Sequence, residues 1–158
     1  MARYFRRGTT KIYFVSSISS SASPTVAEMA AGTELTCSVA EISGFAFQNN
    51  PIDVPDMCAE FVAKIPGEDT ADDSEMTFYE DDTTNPLLTT LAKGTTGNIV
   101  FFPYGIGGAN PVAGDDCEVW PTSVAKTTRE WSAGNDPARF MTTFTVSAVP
   151  ALTAEVVA

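Results

Sequence analysis

The chain has 158 residues, 44% of them hydrophobic and 18% charged, and nine Lys and Arg stand against 20 Asp and Glu for a net charge of −11. A chain of this length forms one domain that buries roughly 70% of its unfolded surface, and this composition excludes native disorder of the whole chain. With no histidine, every His-dependent triad, zinc site and haem ligation is excluded, and the three cysteines, Cys37, Cys58 and Cys117, suit neither a disulfide framework nor a CxxC site, so buried core positions are expected for them.

The charge is unevenly spread. Arg3, Arg6, Arg7 and Lys11 give residues 1–24 a charge of +4 with no acid, which leaves five bases against 20 acids, or −15, beyond Pro24. The expected organisation is therefore a basic N-terminal arm and Ser-rich linker over residues 1–24, followed by a single domain over residues 25–158. The apolar run from Ile12 to Val15 is shorter than the roughly 7–15 residues of a signal core. The most apolar stretch, residues 99–113, is broken by Pro103, Gly105, Gly107, Gly108 and Pro111, so no membrane helix is expected. These features predict a soluble protein made in a cytoplasm. Residues 16–24, SSISSSASP, read as a flexible linker.

From Leu35, alternation places Cys37 and Val39 with Leu35 on one face, and the reversal at Glu41 and Ile42 predicts a bulge near Ala40. Residues 48–56, QNNPIDVPD, have loop chemistry. Met57, Ala59, Phe61, Ala63 and Ile65 then alternate with Glu60 and Lys64, which predicts two long strands joined by an exposed loop. Eight acids and no base lie from Glu68 to Asp82, flanking a strand in which Met76 and Phe78 alternate with Thr77 and Tyr79.

One helix is expected. Asn85 suits its N-cap, Pro86 its first position, Leu87, Leu88, Leu91 and Ala92 an apolar stripe, Lys93 its negative end and Gly94 a left-handed stop. Two turns are not stable alone, so the helix must pack on a sheet. The run Ile99–Phe102 reads as a strand buried on both faces, residues 103–114 as a Gly/Pro loop, and residues 117–131 as a long strand. After turn chemistry at SAGNDP, residues 132–137, alternation resumes at Phe140, Thr142, Phe144, Val146 and Ala148. The predicted fold is mainly β, a sandwich or small barrel with one short flanking helix and a long β-hairpin region.

Catalytic, cofactor and metal sites find no support. Carboxylates are plentiful, but none is singled out as a pair for glycoside-type chemistry, and residues 69–80 lack the spacing of a calcium loop. Gly105, Gly107 and Gly108 lack the third glycine of a phosphate loop, because Asn110 occupies its place. Tyr4, Phe5, Tyr13 and Phe14 beside arginines could stack on nucleic acid. A body of −15 repels phosphate, however, and complements the arm itself, which favours self-association.

The order of basic arm, long strand pair, KIPGEDTADDSEMTFYEDDTTNP from Lys64, a helix ending LAKGTTG at Gly97, VFFPYG from Val100 and VWPTSV from Val119 resembles the major tail tube proteins of siphophages infecting actinobacteria. The resemblance covers the whole chain and is most specific over residues 65–97. It implies a tail-tube-type β-sandwich or barrel, hexameric rings built by hairpins joined edge to edge, and stacking of those rings into a non-contractile tube. That tube encloses a tape measure protein, meets tail-tip and tail terminator proteins, and conducts double-stranded DNA without specific binding or membrane contact. It implies a structural subunit of the virion tail, made in the host cytoplasm, with no catalysis and no cofactor. Stacking is assigned to the arm (Arg3, Arg6, Arg7, Lys11) and to the loop carrying Asn49, Asn50, Asp53 and Asp56. Glu41, Glu60 and Glu118, on candidate hairpin strands, are expected to face the lumen, where acids keep phosphate from sticking. The alternative is a phage capsid decoration or receptor-binding β-sandwich module without catalysis, which needs no basic arm.

Overall fold

The computed structural model describes residues 1–158. Its elements in chain order are β1 (Lys11–Val15), α1 (Val26–Ala30), β2 (Thr33–Glu34), β3 (Val39–Ser43), β4 (Phe47–Asn49), β5 (Ile52–Val54), β6 (Ala63–Ile65), β7 (Asp69–Ala71), β8 (Ser74–Tyr79), α2 (Pro86–Thr90), β9 (Thr96–Phe102), β10 (Asp116–Glu130), β11 (Arg139–Val146) and β12 (Ala151–Glu155). Eight strands form one sheet in the order β2-β1-β9-β10-β11-β8-β3, with β12 also on β10. Two short ribbons, β4 with β7 and β5 with β6, stand apart from it. Every strand pair in these sheets is antiparallel.

The 15-residue β10 joins two layers. Its first half pairs with β9 over Glu118 to Ser123 and its second half with β11 over Thr122 to Glu130, with a register shift between Val124 and Lys126. Such a bulge bends a strand and raises its twist. One core lies between the layers. Ile12, Phe14, Ile99 and Trp120 come from the first layer and Met76, Phe78, Phe140 and Phe144 from the second, with Leu87 and Leu91 of the α2 region closing one side. The opposite face of β1 and β9 has a core of its own, in which Tyr13, Val15, Val100 and Phe102 meet Met29 of α1 and the C-terminal Ala154 and Val156. This double burial explains the unbroken apolar runs of β1 and β9, since a strand covered on both faces has no reason to alternate.

Several expectations need correction. The structured domain starts at Lys11, because β1 pairs with β9 along its whole length, from Lys11 opposite Phe102 to Val15 opposite Asn98. Residues 16–24 are not a free linker. Glu28 gathers them through Oε1, which accepts from the amide and hydroxyl of Ser19, while Oε2 accepts from the amide of Thr25. Thr25 reciprocates by capping Glu28 N–H, a capping box that starts the second, unexpected helix α1. The C-terminus seals this corner, with Val26 N–H donating to Val157 O and Val157 N–H to Pro24 O.

The expected helix is shorter than its apolar stripe. α2 ends at Thr90, and Ala92, Lys93 and Gly94 are exposed beyond it. Pro86 holds the first turn, but Asn85 makes no side-chain cap; its amide closes the preceding loop, accepting from Asp81 N–H and donating to Asp81 O. Gly94 is left-handed (φ +86°) and turns the chain onto β10, its N–H donating to Val124 O. Of the cysteines only Cys117 is buried, and Cys37 and Cys58 are exposed. Burial, aided by Asp116, Asp115 and Glu118, pushes the Cys117 thiol up to about 12, so it stays protonated and unreactive.

The hairpin region leaves the body at Gly44 and Phe45, both at positive φ (81° and 53°). A Cβ on Gly44 would lie 2.8 Å from Asp73 O and from Ser74 Cα. Phe45 turns back into the core, edge-on to Phe101 and Trp120, and its amide donates to Ser74 Oγ at 2.8 Å. A bulky residue in this conformation is costly and persists only where its surroundings fix it.

Two outcomes follow from these contacts. Gly44→Ala should lower folding stability by about 2 kcal/mol, read from urea unfolding; an unchanged midpoint would show that the exit turn is not constrained. The Thr25 and Ser19 donors hold the Glu28 carboxyl down at about 2. A depressed folded value gives stability that is complete above the ordinary 4.5 and lost as pH falls toward 2. The stability gap between wild type and Glu28→Gln should therefore shrink across that window, and a pH-independent gap would contradict it.

Candidate assembly interface

Four strands of the second layer, β3, β8, β11 and the second half of β10, make an antiparallel sheet with two open edges. β3 pairs only with β8, and β10 has no strand on its other side over residues 125–130. One face covers the first core. The other carries three rungs read from the register. Lys126, Thr143, Glu75 and Ser43 form the first, Thr128, Met141, Thr77 and Glu41 the second, and Glu130, Arg139 and Tyr79 the third. This face is polar, rich in threonine and nearly balanced in charge. Arg139 lies 3.5 Å from Glu130 and 3.8 Å from Glu41.

The second feature is the excursion between β3 and β8. Every residue from 46 to 66 is exposed. The predicted bulge is present, as a register shift between Val39 and Glu41. The predicted loop over residues 48–56 is instead part of a two-ribbon hairpin, and the turn lies further on, at residues 55–62. Asn49 explains the difference. Its side-chain amide donates to Gly67 O and Asp69 Oδ1 and accepts from Gly67 N–H, a clip between the two strands despite Pro51. Asp53 pairs with Lys64 across β5 and β6 at 2.8 Å, on the face opposite Ile52, Val54, Ala63 and Ile65. At the turn, Asp56 Oδ1 accepts from Cys58 N–H.

The third feature is a cleft of about 470 Å³ where the arm crosses the open side of the sandwich. Ile12, Ile42, Phe45 and Phe101 wall it, Arg6 and Arg7 rim it, and Glu118 lines it as well. Residues 1–8 are exposed, and Tyr4 packs against Tyr104 with ring centroids 5.7 Å apart.

The residues singled out from sequence divide accordingly. Arg6 and Arg7 meet at the cleft, while Lys11 belongs to β1 and pairs with Glu34 at 3.4 Å. Arg3 lies on the exposed arm. Asn49 and Asp53 have partners within the hairpin, Asn50 is exposed between its ribbons, and Asp56 lies at its tip. Glu41, Glu60 and Glu118 do not share a face. Glu41 stands on the threonine-rich face, Glu60 in the hairpin turn, and Glu118 in the cleft, its carboxylate accepting from Trp120 Nε1 at 3.4 Å. Sequence reading missed Glu75, Lys126, Glu130 and Arg139 on Glu41's face, although the alternation of β8 and β11 carried that signal. No group of three or more Cys, Asp or Glu is arranged to hold a metal, and no helix is long and apolar enough to cross a membrane.

Comparison with known proteins adds to this geometry. A family model described as phage tail tube protein matches residues 1–158. Among curated proteins no relative matches. Among solved structures, the chain is similar to the sheath/tube terminator of the PVC extracellular contractile injection system in its extended state, with a TM-score of 0.64 and 11% identity over 93% of this chain and 95% of that one. It is also similar to a chain of the anti-feeding prophage baseplate, with a TM-score of 0.59 and 7% identity over 94% and 95%. A third likeness is to the PVC sheath-tube complex, at 0.53 and 12% over 89% and 85%. At these identities the likeness is one of fold, and it agrees with the mainly β architecture.

Proposed function

Because this chain belongs to the phage tail tube protein family, it is a structural subunit of a phage tail, and we propose that six copies close into rings that stack as the tube of a non-contractile, siphophage-type tail. The observation that carries this reading is the pair of open edges on one four-stranded sheet. An even number of antiparallel strands leaves its two edges running in opposite directions, so β3 of one copy meets β10 of the next antiparallel in a head-to-tail ring. Their free lengths are similar, five residues in β3 and residues 125–130 in β10. Closure removes both edges, which a monomer would leave open to aggregation. The sixfold symmetry named for the anti-feeding prophage baseplate supports six copies.

With the core face turned to the body, the threonine-rich face lines the channel. Glu41 belongs to that lining together with Glu75 and Glu130, whereas Glu60 and Glu118 do not. Lys126 and Arg139 leave the lining slightly acidic rather than strongly so. It offers no concentrated positive charge to hold phosphate. The tube encloses a tape measure protein, passes double-stranded DNA afterwards, and ends on tail-tip and terminator proteins in a virion tail assembled in the host cytoplasm. The exposed arm and the hairpin tip join one ring to the next.

A second reading, an inner tube within a contractile sheath, draws on the likeness to the PVC sheath-tube complex. Both readings differ from a decoration module, which stays a monomer or a small closed oligomer.

Electron microscopy of the purified protein, with and without residues 1–5, tests the proposal. Stacked rings or hollow tubes are expected from the full chain, with a loss of long tubes on deletion. A stable monomer or compact trimer at all concentrations would overturn it, and tubes that survive the deletion would remove the arm's role.

A further inference from the structure

Trp131 is left bare by its own chain. It stands one residue past the end of β10 and is 87% exposed, whereas the other tryptophan, Trp120, is buried in the core. Alternation along β10 turns Lys126, Thr128 and Glu130 to one face of the four-stranded sheet, and Thr127, Arg129 and Trp131 to the face that covers the core. Thr127 is held there, its hydroxyl donating to Leu91 O, and Arg129 reaches Glu80 at 3.1 Å. Trp131 alone of the three has nothing over it. Asp136, in the turn that follows, takes part in no ion pair.

The cleft opens beside the opposite edge of the same sheet, on the same face. Val39 and Ile42 of β3 stand opposite the core residues Phe78 and Met76, so they face the body, where they line the cleft with Ile12, Phe45 and Phe101. The two edges of a four-stranded sheet are three spacings, about 14 Å, apart, which keeps Trp131 from the cleft of its own chain. Pairing of β3 with a neighbour's β10 changes this. Continuity of the two faces sets Glu41 opposite Lys126, Thr128 or Glu130, and like charges disfavour Glu130. In either remaining register the neighbour's β10 runs on past Val39, and its last body-facing residue arrives where Thr36 walls the cleft. Thr36 is fixed there by its hydroxyl, which accepts from Ile12 N–H at 3.0 Å.

We propose that Trp131 of one copy seats in the cleft of the next copy around the ring, its indole against Ile12 and Val39, with Arg6 and Arg7 over its face and beside Asp136. This rests on the tube reading and names the side chain that closes the open side of each sandwich. A tryptophan buries roughly 150–250 Å² and attracts an arginine to its face. Neither Arg6 nor Arg7 has an ion pair in its own chain. Buried tryptophans and arginines carry much of the energy of protein interfaces. The contact is lateral, between copies of one ring, and residues 1–5 of the arm stay outside it.

Fluorescence and cross-linking test the contact. Because Trp120 is buried, the emission lost in Trp131→Phe isolates Trp131. That emission should move to shorter wavelength in tubes, and its acrylamide quenching should fall at least threefold relative to unassembled protein. Trp131→Ala should cut sedimentable tube at least tenfold, while the circular dichroism of the unassembled chain stays unchanged because the side chain is exposed. In a Cys37→Ser, Cys58→Ser background, a chain carrying both Arg7→Cys and Ser132→Cys should give, with a short bismaleimide, a ladder of linked species that stops at six copies. Tubes in which Trp131 stays fully quenchable and no ladder forms would overturn the docking and leave the tube reading standing, as would normal assembly of Trp131→Ala. A ladder that runs past six would place Trp131 against the next ring, and would also overturn the lateral docking. Linked dimers without rings or tubes would uphold the docking and overturn the tube reading.

Discussion

Backbone groups at a sheet edge must find partners, and this constraint governs the rest of the molecule. The second layer ends on β3 at one side and on the latter half of β10 at the other, with no helix or loop strand paired to either. Natural sheets usually blunt such edges with bulges, prolines or inward charges. Here the bulge at Ala40 is the only such device on β3, and none of its five residues, Val39–Ser43, has a strand on its outer side. A fold that keeps two edges of similar length, running in opposite directions on one sheet, is suited to a head-to-tail ring.

The body is built to hold that sheet rigid. β10 belongs to both layers, so the open sheet cannot move without the core moving with it. Behind it, β1 and β9 are buried on two faces, between the main core and the smaller one closed by α1 and the C-terminus. Protein interiors are close-packed and transmit strain, so the two cores brace the layer that stands behind the open sheet. Phe45 is the joint between this frame and the hairpin, and its ring contacts Phe101, Trp120 and Phe144. The hairpin thus leaves the body at an angle set by the core.

Local signals made much of this legible in the sequence. The unbroken run at Ile99, the alternation of Met76 with Phe78, the phase reversal at Ala40 and Pro86 at a helix start each reflect a rule acting over a few residues. Elsewhere distant partners decide. β1 looked like part of an arm because four apolar residues behind arginines carry no sign of β9, which lies more than 80 residues further along. Residues 48–56 looked like a loop because of Pro51, Pro55 and two asparagines, yet Asn49 bonds across to Gly67 and Asp69. α1 was announced by Thr25 and Glu28 at capping-box spacing, but five residues give no helical period to find. Among the site residues, Glu41, Glu60 and Glu118 have only a place on candidate hairpin strands in common. Which face each occupies depends on the register of β3 against β8 and on the cleft beneath the arm, neither of which a single sequence displays.

The measurement that bears most directly on this account is a cryo-electron microscopy reconstruction of the assembled tube at a resolution that separates strands. The account predicts a continuous barrel in which β3 of each subunit hydrogen-bonds antiparallel to residues 125–130 of its neighbour, with Glu41, Thr77 and Thr128 facing the channel. A tube in which those two edges stay unpaired, or in which the threonine-rich face is buried against the body, would contradict it.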